Sequence, residues 1–330
     1  MPSSSPNPQR VVLLGATGTI GQATLRALRR QGHQVVCFVR ETHAHRQLSP
    51  AHDPDVMVRQ VDLRNPESIR RDGFAHEAFD AVVSCMASRT GLARDAWAVD
   101  HQAHLNVLQA CDSAGVQRFV LLSAICVQKP QLAFQHAKLA FEQALMASGL
   151  TYSIVRPTAF FKSLSGQIDR LRSGKPFWVF GDGRLTACKP IADDDLGEYL
   201  AGCLIHTDRQ NRILPVGGPG PAITPLDQAH MLAELLNTPL RIKQMPPILM
   251  DVIIAVLDAL GRVSPSMRDK AELARIGRYY GTESMLVINP DTGQYDEALT
   301  PSWGHRSLRD HYQGVIQGQI AVDLGDHSVF

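Results

Sequence analysis

The sequence predicts an α/β fold built on a doubly wound parallel sheet, and three observations lead to this class. Short apolar runs of strand length alternate with segments of helical periodicity as far as Pro157. The strand runs are rich in Val, Ile and Leu, which is typical of parallel strands covered by helices on both faces. After Pro157 the alternation weakens, and glycine and proline interrupt the chain. We therefore expect a regular sheet domain followed by a smaller, less regular region.

The strand candidates set the expected domain boundaries. Before Pro157 they are Val11–Leu14, Gln34–Val39, Val56–Val61, Asp80–Cys85, Arg118–Ser123 and Thr151–Arg156. Arg212–Val216 can return to the sheet as an edge strand, where Pro215 is tolerated. We therefore expect a disordered tail over 1–9, a sheet domain over 10–160 and a partly interleaved substrate-binding region over 161–330, since loops on a rigid sheet usually carry the site.

Composition excludes several classes of protein. The 330 residues are 44% hydrophobic, enough for one large or two modest cores. With 33 basic and 32 acidic residues the net charge is +1, which gives no basic excess for nucleic acid. The six cysteines form no C-x-x-C pair and are expected to be reduced core residues of a cytoplasmic protein without a metal site. The polar, proline-rich start has no signal-peptide core.

Ile248–Leu260 is the most apolar stretch of the chain, interrupted by Asp251 and Asp258. It is too short to cross a bilayer. We interpret it mainly as a core helix. A wall for a large apolar ligand and a peripheral contact with a membrane surface are the alternatives.

A glycine-rich turn predicts the cofactor site. Val11–Gly21 reads V-V-L-L-G-A-T-G-T-I-G, a strand that runs into a helix. Gly15 permits the sharp turn, Gly18 lets the backbone approach a diphosphate, and Gly21 allows close packing of helix on strand. The helix N-terminus favours phosphate. The pattern predicts a Rossmann dinucleotide site, against the alternative of a turn without ligand, and its contacts are assigned to Gly15, Thr17, Gly18, Thr19, Ile20 and Gly21.

Residues at the strand ends indicate which dinucleotide binds. Arg40 follows the second strand, where an arginine can pair with the 2′-phosphate of NADPH. The alternative is a solvated arginine, and Glu41 beside it leaves NADH open. Asp62 and Leu63 follow the third strand and are assigned to the adenine edge. Ser84 and Ser123 lie at the ends of the next two strands and are assigned to the cofactor. Cys126 comes shortly after Ser123 and is assigned to the substrate side.

The helix after the fifth strand carries Lys138 but no catalytic tyrosine. Short-chain reductases commonly place Tyr four residues before this lysine, and here that position is Phe134. A phenyl ring cannot exchange a proton, which argues against alcohol–ketone chemistry and sugar-nucleotide epimerisation. Lys138 can still bind the nicotinamide ribose, and we assign it as the catalytic residue.

Taken together, these residues resemble the NADPH-dependent divinyl chlorophyllide 8-vinyl reductases, a family of atypical short-chain reductases that also has Phe at the tyrosine position. The resemblance extends from Val11 to about Tyr312. Plant members carry a transit extension that this sequence lacks, so a bacterial form is expected. The blocks that carry the resemblance are S-C-M-A-S-R from Ser84, L-L-S-A-I-C-V-Q-K-P from Leu121, Y-S-I-V-R-P-T-A-F-F-K-S-L-S-G-Q from Tyr152, G-D-G-R-L-T-A-C-K-P-I from Gly181 and G-R-Y-Y-G-T-E-S-M-L from Gly277.

The resemblance implies hydride transfer from NADPH to the C8 vinyl group of divinyl chlorophyllide or protochlorophyllide. It suggests that Arg156, Phe160, Phe161 and Lys162 line the pigment side, with core packing as the alternative for the two phenylalanines. Tyr279 and Tyr280 are proton-donor candidates. Competing functions are another NADPH-dependent double-bond reductase, acting on a quinone or phenylpropanoid, and a non-catalytic NADP-binding sensor or assembly factor.

Overall fold

A computed structural model describes residues 8–40, 48 and 53–321. The described residues form two compact units. The first contains the chain up to Ser88, Ala93–Arg156 and Asp193–Leu214. The second contains Arg89–Leu92, Pro157–Ala192 and the chain from Pro215 onward. Asp193–Leu214 therefore groups with the sheet, and this segment includes the start of the strand Arg212–Val216 that we expected to return there.

A seven-stranded sheet runs in the order β3-β2-β1-β4-β5-β6-β8. Strands β1 to β6 pair in parallel, which confirms the predicted doubly wound class. Val11, Val12, Leu13 and Leu14 of β1 are fully buried at its centre. The order reverses between β1 and β4, where such sheets bind ligands at the carboxyl ends of their strands. The strands are β1 Arg10–Leu14, β2 Gln34–Val39, β3 Val56–Gln60, β4 Ala81–Ser84, β5 Arg118–Leu122, β6 Thr151–Pro157, β7 Phe177–Phe180, β8 Arg212–Val216, β9 Ile242–Met245, β10 Val287–Ile288 and β11 Tyr295–Asp296.

The helices follow the alternation that the sequence predicts in the first unit. Two π-helical segments, Ile69–Phe74 and Trp97–Ala103, continue α2 and join α3 to α4. Such wide turns are frequent at functional sites. The α-helices are α1 Thr19–Arg30, α2 Pro66–Ser68, α3 Ala93–Ala96, α4 His104–Cys111, α5 Ala133–Met146, α6 Ile168–Arg172, α7 Asp193–Gly202, α8 Pro225–Leu235, α9 Pro247–Gly261, α10 Pro265–Thr282 and α11 Leu308–Ile316.

Helix α7 packs directly on the glycine-turn helix α1. A Cβ at Gly197 would lie 2.6 Å from the carbonyl carbon of Ala23, so only glycine allows this approach. Arg26 and Asp194 form an ion pair of 2.6 Å across the same two helices. This close contact explains why a segment so late in the chain belongs to the first unit.

The second unit has its own apolar core. Phe161, Ile168, Phe177 and Tyr312 are buried in it. Strands β7 and β9 pair in parallel, and β10 and β11 form an antiparallel pair. Our interpretation of Ile248–Leu260 as a core helix is wrong, because in α9 only Gly261 is buried. Its other apolar side chains have one neighbouring helix, α10, and are otherwise largely exposed.

Candidate functional site

The three glycines of the first turn differ in what a side chain would meet. Gly15 has a φ of 73°, and a Cβ there would lie 2.7 Å from the carbonyl carbon of Cys85. A Cβ at Gly21 would lie 2.0 Å from the Gly15 oxygen. At Gly18 the nearest atom would be the Gly15 oxygen, at 3.4 Å. Gly15 and Gly21 are thus required by the fold, whereas Gly18 leaves room for a ligand.

The N-terminus of α1 fits a dinucleotide phosphate. Thr17, Gly18 and Thr19 are exposed, while Ile20 turns into the core. The first turn, T-I-G-Q, contains no acidic residue that would repel an anion. Backbone N–H groups at a helix start attract phosphate through hydrogen bonding and the helix dipole. The residues present therefore fit the diphosphate of the predicted cofactor.

Arg40, Asp62 and Leu63, which are predicted to contact the adenosine half of the cofactor, are all among the described residues. Arg40 is exposed at the end of β2, whereas Glu41, which left NADH open, lies outside the described residues. The Asp62 carboxylate accepts the backbone N–H of Arg64 at 3.0 Å and pairs with its side chain, and these bonds lower the Asp62 pKa. Leu63 is buried, and its carbonyl accepts a hydrogen bond from Asn106 at 3.0 Å. Adenine contacts by Asp62 and Leu63 stay predictions.

Lys138 is held by an acid that we did not predict. Its Nζ lies 2.9 Å from Oδ1 of Asp100, and their side chains are 12% and 0% exposed. The same oxygen accepts the backbone N–H of Ser88 at 3.3 Å. Asp100 lies in the π-helical segment Trp97–Ala103. Its only sequence signal is an acid within the apolar run A-W-A-V-D. The pair fixes the position of the lysine ammonium group.

Ser84 contacts a buried histidine that the sequence did not single out. Nδ1 of His104 lies 2.9 Å from the carbonyl oxygen of Val99, which can only accept, so Nδ1 carries the proton. Nε2 therefore accepts from the Ser84 hydroxyl, 2.7 Å away. Burial lowers the pKa of His104 to about 4, so the ring is neutral. Because the Ser84 side chain is buried and occupied by this bond, its predicted cofactor contact would have to use the backbone.

A second buried acid, Glu142 of α5, links Ser123 to Arg156. The Ser123 hydroxyl donates to Oε1 of Glu142 at 2.5 Å. Arg156 donates to the same carboxylate through Nε at 3.2 Å and makes a short ion pair through its terminal nitrogen. The arginine side chain thus has a structural partner, so its role toward a pigment stays a prediction. Cys126 is also buried, and its contact with a substrate stays a prediction.

Comparison with known proteins assigns this site to a family. A family model described as NAD(P)H-binding matches residues 15–206. Divinyl chlorophyllide a 8-vinyl-reductase of Oryza sativa subsp. indica is 45% identical over 99% of this chain and 84% of its own length. The protein of that name from Zea mays is 43% identical over 100% of this chain and 87% of its own. The chain belongs to the divinyl chlorophyllide a 8-vinyl-reductase family. The predicted resemblance and the nicotinamide dinucleotide cofactor are thereby confirmed.

The fold is shared more widely than the family. NADPH-dependent quinone oxidoreductase QOR2 from Escherichia coli, solved in complex with NADPH, superposes with a TM-score of 0.69. The superposition covers 93% of this chain and 99% of that one, at 16% identity. Identity at this level supports the fold alone.

Phe134 lies one helical turn before Lys138 on α5, as the family pattern implies. Its ring is buried. Without a hydroxyl it supplies no proton at the place where other short-chain reductases have a phenol. The buried Ser123 hydroxyl, which lies earlier in the chain at the end of β5, is already donated to Glu142.

The second unit holds several residues that are predicted to lie on the pigment side, and these residues differ from one another in how deeply they are buried. Phe161 is buried in the core and packs against the ring of His311, with 5.3 Å between centroids, as the core-packing alternative predicts. Phe160 and Lys162 are partly exposed. Tyr279 is buried, and Tyr280 is exposed beside it. Pigment contacts by these residues stay predictions.

The described residues give no metal or membrane-spanning site. Within 8–40, 48 and 53–321, no group of three His, Cys, Asp or Glu side chains is placed to hold a metal ion. In the same part of the chain, none of the helices combines the length and the apolar composition that a bilayer span needs. Burial raises the pKa of the thiols of Cys37, Cys85, Cys111 and Cys188 to about 12.

Proposed function

We propose that the protein reduces the C8 vinyl group of divinyl chlorophyllide or protochlorophyllide to ethyl, with hydride from NADPH and a proton from solvent or a nearby donor. The observation that carries the proposal is the 45% identity to the Oryza sativa reductase over 99% of this chain. An alkene conjugated to a tetrapyrrole spreads the developing negative charge over the ring. No oxyanion forms, which suits a site with Phe134 in place of a phenol.

The chain's own residues then bind NADPH and orient it toward the substrate. NADPH, when bound, supplies the hydride. The α1 N-terminus binds its diphosphate, and exposed Arg40 binds the 2′-phosphate that distinguishes it from NADH. Lys138, fixed by Asp100, binds the nicotinamide ribose. With no proton to transfer at Phe134, catalysis depends chiefly on holding the two reactants in the reactive geometry.

We place the reaction in the cytoplasm, peripheral to the photosynthetic membrane. The proposed substrate is a flat and largely apolar pigment that partitions into lipid. A reductase at the membrane surface meets it at a higher local concentration. The exposed apolar side chains of α9 support this location.

The decisive assay incubates purified protein with NADPH and divinyl chlorophyllide and follows the Soret band and the pigment mass. We expect a blue shift and a gain of two hydrogen atoms, with deuterium from C4-labelled NADPH in the ethyl group. The protein without NADPH is the control. NADPH binding without reduction of any conjugated pigment would indicate a sensor or assembly factor. Reduction of a quinone or phenylpropanoid but not of the pigment would indicate a different reductase.

A further inference from the structure

Helix α9 has one apolar face that no other described element covers. Six aliphatic side chains on this face are between 38% and 69% exposed: Ile248, Leu249, Val252, Ile253, Val256 and Leu260. At 3.6 residues per turn they span about 140° of the helix. The opposite face, with Met250, Ile254, Leu257 and Gly261, packs on α10. The two helices form a hairpin, Pro247–Thr282, that we call the α9–α10 hairpin.

The only charged residues of α9 lie at the border of this face and are neutralised. Asp258 pairs with Arg275 of α10 at 2.5 Å. Asp251 forms a short ion pair with Arg278 of the same helix. The exposed face itself carries no charged or hydrogen-bonding side chain. Contiguous apolar surface of this kind marks a site of contact with another molecule or with a membrane.

Basic residues flank α9 along the chain. Outside the two ion pairs, residues 241–282 contain five basic residues, Arg241, Lys243, Arg262, Arg268 and Lys270, against the two acids Asp269 and Glu272. Arg262 and Arg268 are exposed on either side of the turn between the helices. Val263, at that turn, is 86% exposed. An apolar tip between cations is complementary to acyl chains below a layer of lipid phosphates.

We infer that the α9–α10 hairpin is an interfacial anchor that inserts the apolar face of α9 into a bilayer containing anionic lipids. Protein interfaces are enriched in aromatic residues, Met and Arg and carry hydrogen bonds, whereas this face is aliphatic throughout. Self-association through α9 would bring basic groups together, because both ends of the helix are flanked by cations. The need for an anchor rests on the proposed function, whose pigment substrate is lipid-soluble.

Vesicle co-sedimentation of the full chain, without pigment or NADPH, tests the anchor. We expect binding to vesicles of equimolar phosphatidylcholine and phosphatidylglycerol, weaker binding to phosphatidylcholine alone, and loss of the difference in high salt. The double variant Val252→Asp and Val256→Asp should bind at least about tenfold more weakly. Leu299→Asp, at an exposed apolar position outside the hairpin, is the matched control and should bind as the parent does.

A second variant tests insertion directly. Val256→Trp should show fluorescence that is blue-shifted by the vesicles and quenched by brominated acyl chains, beyond the change seen in the parent protein. Absence of vesicle binding, binding unaffected by the two aspartates, or a dimer that those aspartates dissociate would each overturn the anchor. Pigment reduction in detergent that persists while vesicle binding fails refutes the anchor alone. Vesicle binding without pigment reduction refutes the proposed reaction alone.

Discussion

Nζ of Lys138 and Oδ1 of Asp100 lie 2.9 Å apart, in a pair whose carboxylate is fully buried. The other oxygen, Oδ2, has no hydrogen-bond partner among the described residues. Removing one member of a buried ion pair costs about 3–5 kcal/mol, because the remaining charge has no compensation. The two residues therefore constrain each other's position.

Variants of this pair separate its structural role from its role in catalysis. Lys138→Ala should lower the free energy of unfolding by about 3 kcal/mol, since Asp100 is left buried and unpaired. It should also lower kcat/KM at least about a hundredfold, through loss of cofactor orientation. Adding Asp100→Asn should recover most of the stability without recovering turnover. Denaturant unfolding and steady-state kinetics measure the two effects, and recovered activity in the double variant would remove Lys138 from the mechanism.

Two glycine substitutions distinguish a packing requirement from a ligand requirement. Gly21→Ala should destabilise the first unit, because its methyl group would lie 2.0 Å from the Gly15 oxygen. Gly18→Ala meets no such contact and should melt near the parent temperature. It should nevertheless bind NADPH at least about tenfold more weakly, since the methyl group occupies the space for the diphosphate. Thermal melts measure the stability of both variants, and calorimetric titration measures their affinity for NADPH. Parent-like NADPH affinity in Gly18→Ala would show that the phosphates bind elsewhere.

Arg40 should set the choice between the two nicotinamide cofactors. A charge-assisted hydrogen bond to phosphate contributes about 1.5–3 kcal/mol. Arg40→Ala should therefore raise the KM for NADPH by at least about tenfold and leave the KM for NADH unchanged. Arg70→Ala, another exposed arginine of the first unit, is the control and should change neither constant. Equal effects of Arg40→Ala on both cofactors would contradict a 2′-phosphate contact.

The buried His104 should make the fold sensitive to acid. Its pKa is lowered by burial from 6.5 to about 4, so the unfolded chain binds more protons than the folded one between these values. Its neutral form therefore supports stability fully above pH 6.5, and that contribution is lost as the pH falls toward 4. The loss is about 3 kcal/mol. His104→Gln should flatten this part of the stability–pH curve, whereas the exposed His230→Gln should not. A parent curve without this slope would contradict a neutral His104.

The sheet and the glycine turn were predictable because their requirements are local. A parallel strand buried on both faces needs a continuous apolar run, and Val11–Leu14 shows one. Gly15 and Gly21 are needed by atoms within a few residues of them or on the next strand. Asp100 and Glu142 were not predictable, because their partners come from elsewhere in the chain. Lys138 is 38 residues from Asp100, and an acid inside a helical segment usually indicates a solvent-facing side.

The prediction for helix α9 failed for the opposite reason, because the local composition of the segment was misleading. A run as apolar as Ile248–Leu260 is normally surrounded by protein. Whether it is surrounded depends on how many elements pack around it, and here α10 covers one side. That number is a property of the whole second unit, which the sequence pattern of a single segment does not contain.

The division of the first unit along the chain has a consequence for its synthesis. Because α7 and β8 complete the sheet layer begun at Arg10, the nucleotide-binding unit cannot finish folding on the ribosome until residues as far as Leu214 have emerged. Until then the nascent chain exposes one side of α1 and the open edge of β6. We therefore expect a polypeptide that stops before Asp193 to be bound by chaperones or degraded by proteases, and added NADPH should not rescue it.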